Sequence, residues 1–365
     1  MTYPCYYSED DQKLHDMLAG VSFFPDFDDK NLTEPPCVTY STVCAPDEEY
    51  SFLHEAAIIA FRGVLFAAWY QNQKNELCGR TPIFFSRSFD SGKTWDKKQI
   101  VADDPSGRIL YCPPVFGIDG GRLYMLLNEM VSADHIHALD LYIWDEAAEH
   151  FDFLWSRPIP FKLNTNVYRL ANGKLFLPGR IAELDGFPNT PAALILDSGH
   201  IDADWRLIYI QKDGKLPDGA EYEHPELSAV ECGGDLWVFS RNDHRHVPVV
   251  YRSSDHGETY STVLSHDIPL WSSKIYSGTL SDGRNYVIGN LPCDRSRLCL
   301  FISRKGGMRF EKAYLVGSVI EGVETRHYPV AYEDGGKLYI IFTVDVKGKS
   351  GTRGAVCAAI PVDTL

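Results

Sequence analysis

The sequence predicts an all-β chain folded as a six-bladed β-propeller, and three observations carry that prediction. A turn motif recurs: Ser88-Phe89-Asp90-Ser91-Gly92-Lys93-Thr94-Trp95 is matched by Ser253-Ser254-Asp255-His256-Gly257-Glu258-Thr259-Tyr260. The copies lie 165 residues apart, three steps of 55, and a worn copy from Ser303 to Phe310 keeps the Ser, a Gly and the final aromatic. A period near 50 residues with a turn at its beat is the signature of a propeller or array. Six segments also share one grammar: an apolar strand, a turn with Gly or Asp-Gly, then a second apolar strand. No long helical periodicity competes with them.

The elements follow in order. Residues 9–18 are the best helical candidate, and a strand at 37–45 is expected to pair near 354–361 and close the ring. The six hairpins are 54–70, 113–128, 166–180, 226–241, 276–290 and 328–343. A further strand pair follows each, such as 81–87 with 98–102 and 248–253 with 261–265. That gives about four strands per blade. In the recurring motif, Asp and Gly build a tight turn, hydroxyls bond its backbone and the aromatic packs beneath, so it joins two strands. The repeats are most eroded between Asp145 and Trp205. Residues 1–45 are read as an irregular arm packing on or closing the propeller, and residues 46–365 as the propeller itself.

Composition narrows the function. The chain has 365 residues, is 44% hydrophobic and 13% aromatic, and carries a formal net charge of −15. That charge opposes a phosphate-backbone partner, so no nucleic acid is expected. A few local arginines still suffice for a small anionic ligand. No apolar run approaches 18 residues, so no membrane span is expected. The first residues lack the basic and apolar regions of a signal peptide, which implies a cytoplasmic protein, or a secreted or periplasmic one whose leader has been removed. Nine scattered cysteines without a C-x-x-C spacing suggest free thiols. Asp243-His244-Arg245-His246 and His135-Ile136-His137 lack partners at ligand spacing, so neither a metal nor another cofactor is implied.

The repeat also locates a site. The innermost strands of a propeller surround a central channel, and their ends face its mouth. Hairpin entries supply His54, Asn166, Glu226, Tyr276 and Tyr328; exits supply Asn128, Arg180, Arg241 and Asn290. Polar ends on otherwise apolar strands are what a ligand funnel needs.

From about residue 50 to its end the chain resembles the sialidase (neuraminidase) superfamily of six-bladed propellers with Asp-box repeats. Glu226 followed by Arg241 looks like the family's fourth-blade pair. Arg297, six residues before Ser303, has the spacing of its later arginine, and Tyr328-Pro329-Val330-Ala331-Tyr332 resembles the strand that opens on its nucleophilic Tyr. The resemblance implies a Tyr328 nucleophile activated by Glu226, with Arg241 and Arg297 gripping a sugar carboxylate. Two departures stand out. His54-Glu55-Ala56 replaces the family's first-blade Arg-Ile-Pro, and Glu76 is the nearest match to its acid Asp. Arg180 or Arg326 is then a substitute for the lost clamp arginine.

Three functions follow: an exo-acting glycoside hydrolase trimming a terminal acidic sugar with Tyr328, Glu226 and Glu76; a uronate-directed lyase with His54 or Tyr328 as base; and a non-catalytic glycan- or protein-binding propeller. The first fits the retained residues best. An ordinary sialidase is disfavoured by the departures.

Overall fold

Each of the six hairpins becomes the inner part of one antiparallel sheet, and the sheets form a six-bladed β-propeller. The computed structural model describes residues 8–365 apart from 19, 26, 133–134, 182–188, 263, 265–266 and 293. Blade 1 spans residues 52–102, blade 2 110–157, blade 3 161–209, blade 4 227–253, blade 5 276–316 and blade 6 323–361. The innermost strands are buried on both faces. Phe52–Phe61 of blade 1 is buried at every position but its last, which is why these segments read as apolar runs rather than alternating ones. Blades meet through aromatic side chains. Phe66 and Phe85 of blade 1 meet Trp144 and Phe151 of blade 2 edge-on, at centroid distances of 4.9 Å for Phe66–Trp144 and 5.3 Å for Phe85–Phe151.

The recurring motif is a self-contained hydrogen-bonded turn. Asp90 Oδ1 accepts from Ser88 Oγ at 2.9 Å and from the N–H groups of Lys93 and Thr94 at 3.0 and 2.9 Å, and Asp255 makes the matching set. Gly92 and Gly257 sit at φ +80° and +90°, where a Cβ is disfavoured. Trp95 Nε1 donates to Ser41 Oγ at 3.0 Å, which fastens the first turn to the ring closure. That closure is the strand Thr39–Cys44, paired antiparallel with Arg353–Pro361 from Thr39↔Ala359 to Cys44↔Ala355.

Blade 4 departs from four strands. Among the described residues its sheet has three, and the single bridge Val250↔Leu264 stands where a fourth strand is expected. The N-terminal segment covers this gap. Its helix Glu9–Met17 starts at a capping box between Ser8 and Asp11, and Leu14 and Leu18 join the apolar cluster of blades 3 and 4. Phe23 then meets Trp237 edge-on at 5.4 Å, while Phe24 stacks on Phe310 at 4.8 Å. Asp267 accepts from the N–H groups of both phenylalanines, at 2.8 and 3.0 Å.

Several polar strand ends expected to face a ligand instead bond the blades together. Asn128 donates to Phe161 O and accepts from Leu163 N, both at 2.8 Å, tying blade 2 to blade 3. Asn166 donates to Ile58 O at 2.8 Å and accepts from Phe116 N at 2.9 Å, joining three blades. Asn290 donates to Arg326 O at 2.7 Å. Arg326 spends its guanidinium on the carbonyls of Gly317, Ser296 and Ile320, at 2.6, 3.2 and 3.2 Å. Tyr276 is buried and stacks on Tyr286. Asn128, Asn166, Asn290 and Arg326 share a physical reason: backbone groups without a partner in their own sheet need one from the neighbouring blade or loop. Replacing Asn166 by Ala leaves the Phe116 N–H and the Ile58 carbonyl without their partner, so a loss of about 2–4 kcal/mol is expected in urea unfolding. An unchanged midpoint would show that water takes over both bonds.

Candidate active site

At the mouth where the innermost strands begin lies a cavity of about 420 Å³. Its wall holds Glu55, Glu76, Leu77, Lys162, Arg180, His224, Glu226, Arg241, Asp243, Arg295 and Tyr328. A larger cavity of about 620 Å³ sits at the turn end of the same strands and takes in Asn166 and Tyr276. There Arg169 binds Asp119 at 2.8 Å, and Glu333 accepts from the Ser281 N–H at 2.6 Å. The smaller cavity is the one whose groups converge on open space.

Three innermost strands enter it through an interruption of register: His54/Ala57 in blade 1, Tyr111/Pro114 in blade 2 and His327/Val330 in blade 6. A β-bulge re-aims a side chain that regular alternation would place elsewhere. Glu55, Cys112 and Tyr328 occupy equivalent places in these bulges. Glu55 at φ +49° and Tyr328 at φ +56° lie in the left-handed region, a conformation that costs energy for residues with a Cβ and clusters at functional sites.

Arg241 organises the centre. Its Nη1 donates to Glu226 Oε2 at 2.6 Å and to the Tyr328 hydroxyl at 2.7 Å. Its Nε and Nη2 donate to Asp243 Oδ1 and Oδ2 at 2.6 and 2.5 Å. The local chain dictates this placement. Glu226 opens the innermost strand of blade 4 and Arg241 closes its neighbour, and Arg241 N donates to Glu226 O at 2.9 Å. Asp243 is held in turn by Ser272 and by His224 Nδ1 at 3.1 Å. Burial alone would raise the Glu226 pKa, but Arg241, Lys274 and Arg180 together hold it below the ordinary carboxylate range. Burial pushes the Tyr328 phenol far up despite the pull of Arg241.

Glu76 faces this centre from the loop that follows the second strand of blade 1. The fully buried Asn72 shapes that loop: it donates to Thr81 Oγ1 and to the carbonyls of Arg80 and Cys78 at 2.7, 3.1 and 3.3 Å, and accepts from Leu77 N at 3.2 Å. Glu76 keeps contact with solvent at the rim, yet the surrounding protein and the Glu55 carboxylate raise its pKa.

Other expected site residues sit elsewhere. Arg180 lines the cavity, and Arg241 does so with its donors committed to protein acceptors. Arg297 binds Asp29 of the N-terminal segment at 3.1 Å; the residue that reaches the cavity is Arg295, its guanidinium 5.4 Å from the centre of the Tyr328 ring. His54 lies behind Tyr328, ring centres 4.0 Å apart, with its Nδ1 at 3.2 Å from Thr343 Oγ1. Behind it His327 Nε2 binds Asp345 at 3.0 Å. The stretch from Asp243 to His246 diverges, with Arg245 on Asp218 at 2.9 Å and His246 stacked on Trp271 at 4.4 Å. Sequence reasoning missed Glu55, Lys162 and Arg295. The signal for Glu55 was the likeness of His54-Glu55-Ala56 to His327-Tyr328-Pro329.

Residues 63–340 match the family model for the BNR repeat-like domain. No curated protein matches the chain. Among solved structures it is similar to a Dyadobacter fermentans DSM 18053 protein of unknown function, with TM-score 0.69 and 14% identity over 89% of this chain and 99% of that one. It is similar to the Hadza microbial sialidase Hz136, with TM-score 0.71 and 14% identity over 90% and 69%. It is also similar to Trypanosoma rangeli sialidase, with TM-score 0.68 and 15% identity over 90% of this chain and 60% of that one. The trypanosomal protein has been solved with sialic acid. At such identities the likeness shows the fold.

The histidines behind Tyr328 give the site a pH signature. Burial, reinforced by Arg295 and Arg353, lowers the His327 pKa to about 4 although Asp345 opposes it. The unfolded chain binds a proton near pH 6.5 that the folded one refuses. Stability is therefore full above pH 6.5 and falls as pH drops toward 4. Thermal unfolding across that window should show a smaller fall for His327→Gln than for the parent. Equal falls would mean that His327 is already protonated against Asp345 in the folded protein.

Proposed function

The chain belongs to the BNR repeat-like family, and from that membership and the cavity's geometry we propose that it is an exo-acting glycoside hydrolase removing a terminal acidic sugar. The observation that carries the reading is the convergence of the Tyr328 hydroxyl and the Glu226 carboxylate on one nitrogen of Arg241, in a cavity that Glu76 faces from the rim.

The steps follow from the groups present. A phenol with so high a pKa is no nucleophile until a base takes its proton, and Glu226 is the carboxylate held ionised beside it. Tyr328 Oη bonds to the anomeric carbon as its proton passes to Glu226. The bond to the leaving oxygen breaks as that oxygen takes a proton from Glu76, whose raised pKa suits an acid. Glu76, now ionised, deprotonates a water that attacks the same carbon. The Tyr328 bond breaks and Tyr328 recovers its proton from Glu226. A neutral phenol avoids repulsion with an anionic group on the sugar, and Arg180 and Arg295 on the cavity wall are the cations for that group. His54 lies behind Tyr328 and outside the cavity wall, so nothing favours it as the base of a lyase.

Incubation with a panel of acidic oligosaccharides, read by mass spectrometry, is expected to release an intact terminal sugar. Tyr328→Phe and Glu226→Gln should each lower kcat at least a hundredfold. A product lighter by one water, or no turnover by the parent on any sugar, would sink the reading. The pH profile gives a second check. Rate should fall on the acid side as Glu226 protonates, below the ordinary carboxylate range, and on the basic side as Glu76 ionises, above that range. Glu76→Gln should remove the basic limb for a substrate whose leaving group needs no proton; a limb that persists would assign it to another group.

A further inference from the structure

Below Tyr328 the cavity floor contains two charged side chains that the proposed chemistry leaves unused. Glu55 is only 6% exposed and lines the cavity. Its Oε1 lies 3.5 Å from Cys112 Sγ, while its Oε2 has no hydrogen-bond partner among the described residues. Lys274 Nζ is 3.6 Å from Oε2, close enough to balance charge but beyond hydrogen-bond reach. Lys162 is 4% exposed and also lines the cavity. Its Nζ meets two weak sulfur acceptors, Met130 Sδ at 3.0 Å and Cys112 Sγ at 3.6 Å, and one carbonyl, Cys112 O, at the long distance of 3.4 Å. Cys112 thus lies between a carboxylate with one oxygen short of a hydrogen bond and an ammonium whose one oxygen acceptor is distant. Buried charges of this kind are costly unless a partner completes them.

We propose that Glu55 and Lys162 form a subsite for two adjacent hydroxyls of the sugar ring. One hydroxyl donates to Glu55 Oε2, and its neighbour accepts from Lys162 Nζ. An anionic group fits this floor poorly, because the buried Glu55 already places a carboxylate there. The ring therefore binds with its hydroxylated edge toward Glu55 of blade 1 and Lys162 of blade 3 and any anionic group toward Arg295, beside Tyr328. Glu55 occupies the bulge of blade 1 that matches the Tyr328 bulge of blade 6, so the backbone aims both side chains at one ligand. The subsite deepens the proposed function, since it rests on reading the cavity as a sugar site.

The test measures binding of free hexoses and hexuronic acids, and of their monodeoxy analogues, by calorimetry on the full chain. Monosaccharides are not hydrolysed, so the result does not depend on turnover. For the best-bound sugar, removing either hydroxyl of one adjacent pair is expected to weaken binding roughly tenfold to a hundredfold, and removing the others to matter less. In Lys162→Met the penalty for one of the two should vanish while that for its neighbour stays, a coupling that general destabilisation does not produce. Deoxy analogues that bind as well as the parent sugars would overturn the subsite, as would penalties unchanged in Lys162→Met or no binding of any monosaccharide. Hexose binding with the expected pattern, together with no hydrolysis of any oligosaccharide, would sink the catalytic reading and leave the subsite standing.

Discussion

One guanidinium holds the site together. Arg241 places four hydrogen bonds on Glu226, Tyr328 and Asp243, and thereby joins blade 4 to blade 6 across the mouth of the channel. Taking this cation and its two carboxylates out of water costs several kcal/mol per ion before their attraction repays it. A well-packed apolar trio would serve stability as well. What apolar side chains cannot do is fix a phenol oxygen and a carboxylate oxygen on the same nitrogen, each within 2.7 Å. The arrangement also constrains the ligand. With Nε and both Nη atoms committed to protein acceptors, Arg241 shapes the reactive pair, and the task of meeting an anion passes to Arg180 and Arg295.

The same mouth is where the fold breaks its own rule. Elsewhere in the blades positive φ on a residue other than glycine falls in turns and loops, as at Arg62, Ser91, Glu149 and His256. At Glu55 and Tyr328 positive φ appears on residues with large side chains, inside strands. A strand buried on both faces gains nothing for its packing from such a bulge. The burial of the neighbouring aromatic and aliphatic side chains holds the strained residues in place, and what results is a carboxylate and a phenol turned into the channel.

The architecture was legible because its signals are local. Hairpins at a fixed period, and a turn motif whose Asp bonds residues three and four further on, need no knowledge of distant partners. The candidate site was legible where it follows the repeat: Glu226 and Arg241 stand at strand ends and Glu76 in the loop just beyond, whereas Tyr328, read as opening its strand, lies inside Val323–Asp334. It was illegible where the outcome depends on long-range pairing. Asn128, Asn166 and Asn290 look like ligand donors by position, but a strand end beside a splayed neighbouring blade uses an amide equally well for backbone repair. Arg297 was separable from Arg295 only by Asp29, 268 residues away in sequence. Glu55 was hidden because two-residue alternation fails inside a bulge. The three-stranded sheet that blade 4 forms among the described residues, with Phe23 against Trp237, has no counterpart in the repeat.

The distribution of charge bears on how a ligand reaches this cavity. The chain carries 50 acidic and 35 basic side chains, so its long-range field repels anions, and four carboxylates stand in the cavity wall itself. Steering from a distance therefore contributes nothing to capture of an acidic sugar. At physiological salt the field of exposed charges dies within roughly 8 Å, about one sugar ring away from the surface. Inside that distance the local wall decides, and there the carboxylates of Glu55, Glu76, Glu226 and Asp243 stand beside the cations of Lys162, Arg180, Arg241 and Arg295. Discrimination must then reside in contact geometry: which edge of the ring meets carboxylate and ammonium, and which meets guanidinium. Under the proposed function, orientation of the ring is what a nucleophile fixed at one point of the wall requires.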